Sequence, residues 1–203
     1  PRADGVAQPT ATPEQALERR VRRAAAARGL NEAITWSFIS EREAEAVGGG
    51  RWVLENPISE DLKVMRPSLL PGLLSAVRRN LDRGAASVRL FEIGRRYLED
   101  GEHPSLVLVL AGEREPRGWA TGKGRAFDAF DAKAICLDLL REAGAPVDNL
   151  MVMGEAGEFY HPGQSATLRL GHKNRIASFG MLHPRTLAAF DIDVPVVAAG
   201  IHL

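Results

Sequence analysis

The chain has 203 residues, 45% of them apolar and 26% charged, which is ordinary composition for one globular core. Its 26 basic and 26 acidic residues cancel, so no global field steers it toward nucleic acid or an anionic membrane, and any basic surface must be local. A single cysteine, Cys136, excludes an internal disulfide, and no apolar run approaches the length of a membrane span.

Pro1 to Pro9 is polar, carries prolines and has no initiator Met. Residues 1–12 therefore read as a linker and 13–203 as one domain, the chain being expected to be a piece of something longer. Thr12-Pro13-Glu14-Gln15 is a helix start: Thr12 caps, Pro13 takes the first position, and Gln15 completes a capping box. This helix is expected to run to Arg28 and stop at Gly29, with Leu17, Val21, Ala24 and Ala25 on one face. Asn31–Ser40 reads as a strand in which Ile34, Trp36 and Phe38 alternate with Thr35 and Ser37. A short helix, Glu41–Val47, ends in three glycines, and Arg51–Leu54 reads as a brief strand.

Pro67 and Pro71 frame a second amphipathic helix reaching Arg83, with Leu73, Leu74, Val77 and Leu81 apolar. Ser87–Leu98 is expected as a strand interrupted at Gly94, and Ser105–Ala111 as a fully buried one. A glycine- and charge-rich loop, Gly112–Gly124, precedes a third helix, Phe127–Ala143. Strands follow near 150–153, 166–170 and 175–180, then a short helix from Arg185 to Phe190 and a closing strand through Val194–Ile201. Strands separated by turns, without parallel βαβ alternation, predict an α+β fold with an antiparallel sheet flanked by helices.

Few residues point to chemistry. Gly122-Lys123-Gly124 lacks the first glycine and the Ser or Thr of a phosphate loop. His103, His161 and His183 each precede a proline, and with His172 and His202 they show no metal-site spacing; they read as structural. Asp128 and Asp131 suit a helix start. Cys136, between Ile135 and Leu137, reads as a buried inert thiol. Arginines cluster in the first helix and again over Arg66–Arg96, a candidate RNA-contacting surface, but no aromatics interleave to stack bases.

Three segments carry a resemblance: Asn56–Leu74 (NPISEDLKVMRPSLLPGLL), Leu90–Tyr97 (LFEIGRRY), and Tyr160–Ala166 (YHPGQSA) with Gly180–Pro184 (GMLHP). In this order, with Phe127–Lys133 (FDAFDAK), they resemble the β subunit of bacterial phenylalanine–tRNA ligases over Thr12 to Leu203. The resemblance implies a degenerate copy of the class II aminoacyl-tRNA synthetase catalytic domain. It also implies a catalytic α subunit as partner in an α₂β₂ assembly, with tRNA(Phe) as a possible contact, and a cytoplasmic location. ATP and Mg would belong to the parent complex, with no cofactor, metal or catalytic residue in this chain. The family's editing site, magnesium-binding helical region and anticodon-contacting domain are expected elsewhere in the β subunit.

Each class II motif can be compared with this chain. The first, a long helix leading into a strand, fits Pro13–Gly29 and Asn31–Ser40, although the strand's proline is absent. In the second, an arginine follows an aromatic and grips the α-phosphate and the substrate carboxylate. Here the residue after Tyr97 is Leu98, with acids at Glu99 and Asp100, and Arg95 and Arg96 lie on the other side of Tyr97, out of register. Leucine donates nothing, and losing such a donor costs on the order of 3–4 kcal/mol of transition-state stabilisation in comparable sites. The third keeps an arginine, Arg185, but loses its glycines. The expectation is a module that cannot adenylate an amino acid and serves assembly, with Leu17, Val21, Leu73, Leu74 and Val77 as anchors and Arg20 among the rim arginines. The competing readings are an active ligase with a pocket rebuilt from Arg66, Arg96 and Arg185, and an RNA-binding module acting through the basic helices.

Overall fold

A computed structural model describes residues 10–120, 122–154 and 156–203; the part of the expected linker over positions 1–9 lies outside the described residues. Helix α1 (Pro13–Ala27) begins as expected, Thr12 and Gln15 forming a reciprocal capping box. Gly29 follows it at φ 78°, a conformation that costs glycine little.

The main sheet is built on two long antiparallel strands, β4 (Ser87–Leu98) and β5 (Gly101–Glu115). A short β1 (Asn31–Glu32) lies parallel to β4 at one edge. On the other side of β5 come β10 (Val196–His202), β9 (Asn174–Leu182), β8 (Tyr160–Leu170) and β7 (Met151–Met153), all antiparallel. Two residues of β6 (Arg125–Ala126) add to the far end of β5. Apart from it stands a two-stranded pair, β2 (Phe38–Ile39) with β3 (Val64–Met65).

Helices cover both faces. On one, α1 and α4 (Ala129–Ala143) pack against Phe91, Leu106, Leu108 and Leu110. On the other, α3 (Leu70–Asp82) packs against Val107, Val109 and Ala111, with α5 (Pro184–Ala188) beside it. This explains the continuous apolar run in β5: a strand buried on both faces needs no polar alternation. Each fully buried Leu contributes roughly 1.5–3 kcal/mol relative to leaving it exposed. A further short helix, α2 (Glu41–Glu45), starts at a second reciprocal cap, Ser40 with Glu43.

Three expectations are corrected. Asn31–Ser40 is not one strand: only its ends pair, and in the middle Ile34 is 91% and Trp36 76% exposed. Gly94 does not interrupt β4, where it pairs with Ser105; a Cβ there would lie 2.7 Å from the Arg66 guanidinium, so the glycine serves a side chain crossing the sheet. Arg51–Leu54 contributes a single bridge, Val53 with Val64, instead of a strand.

Candidate functional site

Alternate residues of β4 share a face, so Glu92, Gly94, Arg96 and Leu98 all look toward the α3 side of the sheet. Glu92 is held first. Arg66, at the end of β3, donates to its Oε1 at 2.8 Å, and Thr35 Oγ1 donates to Oε2 at 2.7 Å. The Arg66 Nε also donates to the Arg95 carbonyl at 3.0 Å. The pair is almost fully buried, and a Cβ on Gly72 of α3 would come within 2.2 Å of Thr35 Oγ1. Arg66 is thus committed to locking segment 35–37 onto β4, and cannot replace a phosphate-gripping arginine.

Beyond that network, the same face opens into a cavity of about 300 Å³. Leu98, Arg96, Ser105, Tyr160, Arg175 and His202 are among its walls. Arg96, expected to lie out of register with position 98, stands one strand repeat before it. A strand repeats every second residue, so Arg96 and Leu98 face the same cavity, whereas Tyr97 turns away and packs its ring 5.9 Å from Trp52. Glu99 stands outside, in the turn, beside Gly49 and Arg51. Leu98 itself presents only hydrocarbon.

One Arg96 nitrogen approaches His202 Nδ1 at 2.6 Å. Since a guanidinium only donates, the imidazole accepts through Nδ1 and is neutral. Burial pushes this imidazole down to about 4, with Arg96, Arg175 and His103 adding to the effect. Burial and then Arg175 also pull Arg96 below its ordinary range, opposed by Asp100. Arg96 Nε and Ser105 Oγ are buried without a hydrogen-bond partner, an arrangement that costs about 1–3 kcal/mol for such a group.

In the third motif-like segment, Gly180 and His183 have structural roles. Gly180 sits at φ 144°, and a Cβ would meet the Gln164 carbonyl at 2.4 Å. His183 caps α5, its Nδ1 accepting from the Arg185 amide at 3.0 Å. Arg185 is exposed beside Arg42 and Glu158, in a neighbouring pocket that does not include Leu98. His103 pairs with Asp100 at 2.8 Å, and His161 accepts from the Gly163 amide at 3.2 Å.

The residues expected as docking anchors lie mostly inside. Val21, Leu73, Leu74 and Val77 are 1% exposed or less, filling this chain's own core because α1 and α3 turn their apolar faces onto the sheet. Leu17 is half-buried at the edge of that core. Arg20 is exposed and donates to the Ala143 carbonyl at 3.2 Å, while Arg22 and Arg28 pair with Glu32 and Asp138. Other apolar side chains are the ones left in water: among the described residues Ile34, Trp36, Ile58, Trp119 and Phe130 are strongly exposed, and Trp52, Val53 and Val152 partly so. Period-two alternation was visible in the sequence; its phase was not.

Comparison with known proteins adds the family. The family model described as "Phenylalanyl tRNA synthetase beta chain CLM domain" matches residues 1–203. A phenylalanine–tRNA ligase beta subunit of Novosphingobium aromaticivorans is 68% identical over all of this chain and 26% of its own length. The corresponding subunit of Zymomonas mobilis is 58% identical, again over 100% of this chain and 26% of that protein. The chain therefore spans only a minor part of these relatives. Among solved structures, a pyrrolysyl tRNA synthetase of Desulfitobacterium hafniense superposes with a TM-score of 0.70 at 20% identity, covering 94% of this chain and 66% of that one. At that identity the likeness concerns the fold alone, which is class II synthetase-like.

Proposed function

From the premise that this chain belongs to the phenylalanyl tRNA synthetase beta chain CLM domain family, we propose that it is a non-catalytic, synthetase-like module that docks onto the catalytic α subunit for tRNA(Phe) aminoacylation in the cytoplasm. ATP and Mg act, on this reading, in the parent complex and not in this chain.

The observation that carries the docking half is the strip around Trp36. Thr35 is tied inward to Glu92, so its neighbours Ile34 and Trp36 are turned outward, at 91% and 76% exposure. A Trp side chain buries roughly 150–250 Å² in an interface, and apolar groups left in water favour a partner. The strip lies within the segment, Asn31–Ser40, that resembles the strand part of the first class II motif. Support for the non-catalytic half is Leu98, a hydrocarbon facing the pocket where the resemblance places a phosphate-gripping arginine.

The test mixes the chain with the α subunit and sizes the product, while calorimetry with ATP and pyrophosphate exchange with phenylalanine probe catalysis. A co-eluting complex without exchange is expected. Amino-acid-dependent exchange by the chain alone would instead establish a rebuilt active site. Salt-sensitive tRNA binding without α-subunit binding would establish the RNA-binding reading.

A further inference from the structure

The cavity beside Leu98 holds more positive charge than its surroundings balance. Arg96 from β4, Arg175 from β9 and His202 from β10 all line it, and among the described residues lining it none is acidic. Arg175 acts on Arg96 as a like charge, and Asp100, the acid that offsets this, lies in an exposed turn and is engaged by His103 at 2.8 Å. Two donors, Arg96 Nε and Ser105 Oγ, are buried yet unpaired. Buried donors without partners beside uncompensated guanidinium groups describe half of an oxyanion site.

We propose that this cavity binds a small organic carboxylate, its oxygens toward Arg96 Nε and Ser105 Oγ with Arg175 at the mouth, and its apolar body against Leu69, Leu98 and Ile201. Size and charge select the class. A volume of about 300 Å³ lies at the small end of ligand pockets. Two guanidinium groups and a neutral imidazole match one carboxylate, not the several charges of a polyphosphate. The hydrocarbon at Leu98, which argues against gripping a nucleotide, becomes a wall suited to an apolar body. This inference does not rest on the docking reading, since the cavity is formed wholly by this chain.

Isothermal titration calorimetry of the full chain with sodium benzoate tests it, with benzamide and inorganic phosphate as comparisons. Saturable benzoate binding is expected, with little or none for benzamide. Arg96→Gln and Arg175→Gln are each expected to weaken it by about 10- to 100-fold, the range for a hydrogen bond to a charged group. Circular dichroism checks that the variants fold. Should Arg96→Gln fail to fold, Arg175→Gln at the exposed rim and Ser105→Ala carry the same test. No saturation with benzoate, equal binding of benzamide, phosphate binding more tightly than benzoate, or unchanged affinity in Arg175→Gln would each overturn the proposal. Co-elution with the α subunit is read separately, and Arg175→Gln is expected to leave it unchanged.

Discussion

Arg66 and Glu92 meet at 2.8 Å with 4% and 3% of their side chains exposed, joining the end of β3 to the middle of β4. Thr35 completes the lock from a third segment, donating to Glu92 and accepting from Arg66 at 2.9 Å. Isolated buried charges are costly, but here each oxygen of Glu92 has a donor.

Removing one partner should therefore be severe. Glu92→Gln or Arg66→Met is expected to lower stability by about 3–5 kcal/mol, because the other charge is left buried and unpaired. Replacing both should cost less than the sum of the single changes by more than about 0.5 kcal/mol. Urea denaturation of the four proteins checks this; strict additivity would show that the two groups do not depend on each other.

Ile34 and Trp36 should behave in the opposite way. Their side chains stand in water, so Ile34→Ser and Trp36→Ser should change the chain's own stability by about 0.5 kcal/mol or less. Complex formation with the α subunit should weaken by at least about tenfold, as for truncating a central aromatic anchor. A double variant that still co-elutes at unchanged affinity would place the docking surface elsewhere.

His202 sets a pH dependence whose sign follows from its burial. The folded imidazole titrates at about 4 instead of 6.5, so the unfolded chain takes up a proton first as the pH falls. The contribution is present above pH 6.5 and is lost as the pH falls toward 4. After allowing for solvent screening of a half-buried ring, the loss should be about 1–2 kcal/mol. Denaturation of the wild type and His202→Asn at pH 7.5 and 4.5 should show a smaller pH effect in the variant; equal losses would assign the dependence to other groups.

Cys136 lies fully buried in α4, and its thiol is pushed up to about 12 by that burial. At pH 8 only about one molecule in ten thousand would carry the reactive thiolate. A disulfide-exchange reagent should label Cys136 only as fast as the chain unfolds, and labelling should become immediate in denaturant. Rapid labelling under native conditions would contradict the packing of α4 on β9 and β10.

Local rules carried much of the fold. The cap at Thr12, the stop at Gly29 and the unbroken apolar run of β5 depend on neighbours within a few residues, and each is recognisable in the sequence. So was the hydrocarbon at Leu98, since an identity is visible wherever the residue ends up. The inward-facing stripes of α1 and α3 were legible too, although they serve this chain's core and not a partner.

Other features depended on partners far along the chain. Alternation over Ile34–Phe38 is a local property, but which set turns inward was decided by Thr35 meeting Glu92, 57 residues away. The contact of Arg96 with His202 spans 106 residues and exists only because β4 and β10 both flank β5. Gly94 read as a break because its reason for being glycine, the passing Arg66 side chain, comes from a segment 28 residues earlier, just past β3. Periodicity and capping are written in short-range geometry; the facing of a strand and the contents of a cavity are set by long-range packing.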